Sequence, residues 1–137
     1  MGLQINNSNW SPNVREEFIQ NQKNGVVGTV LVSENLRVRV WHIRLKPRER
    51  MPFHRHALDY FWTALAPGRT VSHQLDGSTT EHSYEVGETF HMNFASGEFM
   101  YHDLENIGDT ELVFTTVEFL ESANPPISVP NGVRLGS

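Results

Sequence analysis

A chain of 137 residues with 38% hydrophobic and 20% charged side chains has the size and composition of one globular domain that buries its own core. Its net charge of -5 argues against a nucleic-acid backbone or an anionic membrane surface as partner. The absence of cysteine excludes disulfides, thiolate metal sites and cysteine nucleophiles.

The N-terminus, Met1 to Asn7, has neither the basic start nor the apolar run of a signal peptide. No stretch approaches the roughly 18 apolar residues of a membrane span, so a cytoplasmic protein is expected. Residues 1–24 are polar and read as an N-terminal extension. Within them Ser11 is placed to cap a short helix, with Pro12 at its first position and Glu16 and Glu17 near its start. The barrel domain is expected over residues 25–121, and residues 122–137, with Pro125, Pro126 and Pro130, as an extended tail.

Strands follow one another through the middle of the chain. Val26–Val32 is β-branched and apolar. Leu36–Leu45 alternates, but the phase moves from Leu36, Val38 and Val40 to Trp41, Ile43 and Leu45, which predicts a bulge or burial on both faces. Tyr60–Leu65 is aromatic and ends at Pro67-Gly68. Thr70–Leu75 and Thr79–Val86 flank Asp76-Gly77, a strong hairpin signal. Glu88–Phe94, Phe99–Leu104 and Glu111–Leu120 complete the set. Short strands separated by Gly, Pro, Asn and Asp predict an all-β sandwich or barrel.

Seven histidines are present, and their placement carries more than their number. His54 and His56 stand at i and i+2, so in a strand both imidazoles point to one face, about 7 Å apart at the backbone. Two such rings can converge on one ion at about 2.0–2.1 Å. A third ligand must come from elsewhere, and His102, in another predicted strand, is the leading candidate. His42, His73 and His82 read as surface or edge residues. His91 faces outward if Phe90 and Met92 face inward. Glu98 shares a parity with Met100 and His102, so it is a candidate to face the same cavity.

At this point the sequence resembles the cupin superfamily. The first cupin motif, a His-x-His pair followed by a Glu and then a Gly, is matched by Pro52 to Phe61 and on to Gly68. The second, a Gly before a strand, a turn, a His and an Asn, is matched from Gly87-Glu88 through Gly97 to His102 and Asn106. The resemblance spans about residues 36–120 and implies an all-β, double-stranded β-helix or jelly-roll barrel. It is looser towards small single-domain bacterial cupins. It also implies one divalent ion, Fe, Zn, Ni or Mn, on His54, His56 and His102; copper too accepts imidazole.

Two departures stand out. Where the family has its Glu, strand parity places Tyr60, while Asp59 faces away. Tyr60 can ligate weakly, hold a bound anion, or act as acid or base, or it simply lines the barrel. The turn of the second motif, Met92 to His102, is longer than the pattern and lacks its Pro. The implied function is a metal-dependent enzyme acting on a small organic acid, of the dioxygenase or the isomerase/lyase kind. The alternative is a non-catalytic module that binds or senses a small ligand. A homodimer is expected, with a small molecule and neither nucleic acid nor membrane as partner.

Overall fold

The computed structural model describes residue 7 and residues 9–136. The leaderless reading of Met1 to Asn6 falls outside the described residues. Helix α1 (Pro12–Gln20) is followed by β1 (Val30–Glu34), β2 (Val38–Leu45), β3 (Arg50–His56), β4 (Tyr60–Ala64), β5 (Gly68–His73), β6 (Thr79–Tyr84), β7 (Thr89–Met92), β8 (Met100–Asn106) and β9 (Leu112–Phe119). A single 3-10 turn at Asn131–Val133 ends the order. Among the described residues, no helix is long and apolar enough to cross a membrane.

The strands form two antiparallel sheets, β1-β2-β9-β4-β7 and β3-β8-β5-β6. Consecutive strands pass from one sheet to the other at β2–β3, β3–β4, β4–β5, β6–β7, β7–β8 and β8–β9, which closes the pair into a barrel. The β5–β6 hairpin turns at Asp76-Gly77 as its sequence predicts. Gly77 adopts a φ of 92°, and the Asp76 carboxylate accepts from the backbone and hydroxyl of Ser78.

Strand β9 shows how the interior is graded. Leu112, Phe114, Thr116 and Glu118 alternate inward and are buried. The first two join Ile43, Leu45, Met51, Ala64 and Leu104 in an apolar plug. The last two face the more polar part of the barrel.

Several expectations are corrected. β1 begins at Val30, not Val26; ahead of it Gly28 passes so close to the barrel that a Cβ there would lie 2.7 Å from that of Trp41. The phase shift anticipated in β2 is not in that strand. Arg39 is buried on the same face as Trp41, Ile43 and Leu45, and the irregularity lies in its partner, between Leu31 and Ser33. Arg39 is tolerated there because its guanidinium donates to Glu34 and to the Ile127 carbonyl. The tail is extended but docked. Asn124 donates to Ala57, Ala95 and Glu98 carbonyls, and Val129 and Val133 pack on Val27, Leu31 and Trp41.

Helix α1 forms where its cap predicts, with the Ser11 hydroxyl accepting from the Val14 amide. Glu17 serves the tertiary structure and not the helix start: its carboxylate binds the Arg50 guanidinium and accepts from the Phe53 amide. The helix presses Trp10 and Phe18 onto Phe53 and Tyr101, on the outer face of the second sheet.

Candidate metal centre

Strand β3 carries one extra residue against β8. Met51 stands opposite Leu104 and His54 opposite His102, so a bulge falls at Pro52-Phe53. The bulge changes which residues point inward. Phe53 is buried beneath α1, while Met51, His54 and His56 line the interior cavity. Pro52 has no amide hydrogen to lose from the ladder. The freed Phe53 amide goes to Glu17, and its carbonyl accepts from Asn21 and Asn24.

The structure brings the three predicted histidines together. Ligand-capable atoms of His54, His56 and His102 all lie within 4.8 Å of one another, and the ring centres are 4.7, 5.0 and 5.4 Å apart. Imidazoles sharing one ion at about 2.0–2.1 Å would set their centres about 4.5–5.2 Å apart, for angles from about 90° to 109°. The observed triangle is close to that. His54 Nδ1 is 2.8 Å from the Pro52 carbonyl, which can only accept. Nδ1 therefore holds the proton and Nε2 keeps its lone pair. His56 Nδ1 is buried without a hydrogen-bond partner among the described residues. Burial holds His54 down to about 4 and His56 and His102 well below the ordinary histidine range, helped for the latter two by the neighbouring rings. All three are thus neutral near pH 7, the form a metal needs. The group could hold a metal ion.

Tyr60 does face this site, though for a different reason than strand parity. The chain leaves β3 at His56 and enters the other sheet at Tyr60, so the parity of residues 54 to 60 does not carry through. Tyr60 reaches the triad by stacking on His56, with ring centres 4.2 Å apart and planes 16° from parallel. Burial raises its phenol well above the ordinary range, with the Glu118 carboxylate adding to the effect. It stays protonated and can donate a hydrogen bond.

Other candidates are placed elsewhere. Glu98 is exposed and its carboxylate accepts from the Ala95 amide within the turn, so it does not replace the family's Glu. Asp59 faces away and accepts from the Phe94 amide. His91 is exposed and lies against Phe61. His73 is half-buried and lies on an inner strand, not an edge: Nδ1 donates to Asp103, and its ring meets Trp10. His82 sits on the edge strand β6 as expected, yet lines a cavity and donates to Glu88.

Sequence reasoning missed Glu118. Its carboxyl is buried beside Tyr60's register position and accepts from the Trp41 indole at 2.8 Å. Arg39, the nearby cation, is already engaged by Glu34. Burial pushes the Glu118 pKa up from 4.5 to about 7. The folded state therefore holds a proton that the unfolded state releases, so stability falls as pH rises from about 4.5 to 7. Glu118→Gln keeps an acceptor for Trp41 and should flatten that slope, gaining up to about 3 kcal/mol above pH 7. Urea unfolding at pH 5 and pH 8 checks this; an unchanged slope in the variant would refute it.

Among the described residues, nine antiparallel strands in two sheets, wound around inward-facing histidines, define a small cupin-fold barrel. Solved structures with the same fold include a cupin domain from Bordetella pertussis Tohama I. It is 26% identical with a TM-score of 0.58, over 70% of this chain and 94% of that one. A protein with a double-stranded β-helix domain from Klebsiella pneumoniae subsp. pneumoniae MGH 78578 is 21% identical with a TM-score of 0.55, over 84% and 91%. No protein-family model matches the chain, and no curated protein matches it significantly.

Proposed function

We propose that this chain is a metal-dependent small-molecule enzyme, with Fe, Zn, Ni or Mn held by His54, His56 and His102. The observation that carries the reading is the convergence of three neutral imidazoles, two buried and one half-buried, whose spacing suits one ion. When bound, such an ion supplies a doubly positive centre that no carboxylate of the triad offsets, suited to polarising a carboxylate or enolate oxygen. Tyr60 then orients that oxygen by donating its phenol hydrogen. Ile43, Met51, Leu104 and Phe114 line the same inner cavity and limit water around the reacting atoms. The reaction is of the dioxygenase or the isomerase/lyase kind on a small organic acid or related anion. The reading includes a cytoplasmic homodimer. Sedimentation equilibrium giving the 15.7 kDa of one chain would remove the dimer.

The test is metal content. Protein expressed without a histidine tag and purified without added metal should carry stoichiometric ion, and chelation should remove it. Tyr60→Phe should leave metal content unchanged and lower turnover about 10²-fold or more. The missing carboxylate favours a second reading, a non-catalytic ligand-binding module. Full ligand binding by chelated protein, with no metal taken up on reconstitution, would establish that instead.

A further inference from the structure

Beyond the inner cavity lies a second one of about 260 Å3, which shares Tyr60, Trp62, Tyr84, His102 and Leu104 with it as a common wall. The volume falls just below the roughly 300–1,000 Å3 typical of drug-sized ligand pockets, so the occupant is small. The two sheets give it unlike walls. The first sheet contributes Trp62, Phe90 and Met92. Trp62 and Phe90 are in ring contact at 6.0 Å, and Tyr84 joins them from across the cavity at 5.3 Å from Trp62. The second sheet contributes Ser72 and Gln74, the latter bridged by backbone to His102. Neither the Ser72 hydroxyl nor the Gln74 amide has a hydrogen-bond partner among the described residues, although Thr70 in the same wall is satisfied by Tyr84.

Charge narrows the occupant further. No lysine or arginine is among the described residues lining either cavity. The one carboxylate at the mouth, Glu88, already accepts from His82 at 2.7 Å. A phosphate ester or a dicarboxylate would find no counter-charge from the protein here, and burying such a group unpaired is costly. A quaternary cation fits poorly too, because the one carboxylate beside these rings, Glu88, is already engaged by His82.

We infer that the outer cavity is a binding subsite for a planar aromatic body carrying at most one negative charge. The body lies against Trp62 and Phe90, and its polar edge is held by Ser72 and Gln74. The subsite is argued from the cavity walls alone; only the orientation, with the ligand's charged oxygen towards the three histidines, rests on the proposed metal centre.

Chelated protein separates the two. Benzoate, phenyl phosphate, succinate and tetramethylammonium are titrated while following tryptophan emission, with Trp62→Phe assigning the signal. Benzoate should bind at least about tenfold more tightly than the other three. Ser72→Ala and Gln74→Ala should each weaken it about 3- to 10-fold, as expected for one lost hydrogen bond. Gln74→Lys adds the missing cation and should raise phenyl phosphate affinity at least about tenfold. Equal or tighter binding of phenyl phosphate, succinate or tetramethylammonium to the unaltered protein overturns the subsite. So does benzoate affinity indifferent to both alanine variants. If benzoate binds as expected but no metal is taken up on reconstitution, the subsite stands and the metal centre fails. If metal loads on the triad and benzoate does not bind, the reverse holds.

Discussion

Replacing His56 with alanine is expected to abolish metal loading. Substitutions outside the ligand sphere already cost about 10–100-fold in metal affinity, and removing a ligand costs more. His56 is chosen because it is fully enclosed and makes no hydrogen bond through Nδ1 among the described residues. Its loss therefore takes away a proposed ligand without also breaking a hydrogen bond. His54→Ala and His102→Ala should give the same result, though His54 also frees the Pro52 carbonyl. Elemental analysis of purified protein reads the outcome. Unchanged stoichiometry in any of the three would place the ion elsewhere. Chelated His56→Ala should still unfold in one cooperative step, with its midpoint lowered only by the cavity that the enclosed ring leaves, which separates loss of metal from loss of fold.

Asp103→Ala should destabilise the protein by about 3–5 kcal/mol, the range for breaking a buried charge network. Asp103 is 1% exposed and gathers three donors: the Arg50 guanidinium, the His73 amide and His73 Nδ1. Arg50 in turn binds Glu17 of α1. Without Asp103, Arg50 and the His73 amide lose partners in a place water reaches poorly. The exposed Arg69–Glu81 pair is the contrast, and Glu81→Ala there should cost less than about 1 kcal/mol. Urea denaturation compares the two. Similar small losses in both variants would mean the network does not bear on stability.

Much of the fold was legible because its signals are local. Alternation in Leu112–Phe119, the Asp76-Gly77 turn and the Ser11-Pro12 helix start each encode an element through near neighbours. The inward pairing of His54 and His56 was legible for the same reason. What escaped depends on distant contacts. Nothing near Val26 signals that Gly28 must pass against Trp41. Nothing near Glu17 signals that its carboxylate serves Arg50 and Phe53. Glu118 looked like one polar residue in an alternating strand, yet its face was already fixed by Leu112, Phe114 and Thr116. Carrying that alternation to its end would have placed a carboxyl inside. The polar character of β5 and of the residue after it hid Ser72 and Gln74, since alternation gives no phase where neither row is consistently apolar.

The extra residue at Pro52-Phe53 acts as a phase setter for the strand that follows it. Straightening the bulge without losing a residue would carry the alternation from Met51 to Phe53 and Arg55 and exchange inside for outside beyond that point. Arg55 would then project into the interior, and the two imidazoles would sit on the outer wall. Glu17, Asn21 and Asn24 guard against that slip by occupying the backbone groups which the irregularity leaves over. The segment ahead of the barrel thus governs where the histidines aim, although it contributes none of them.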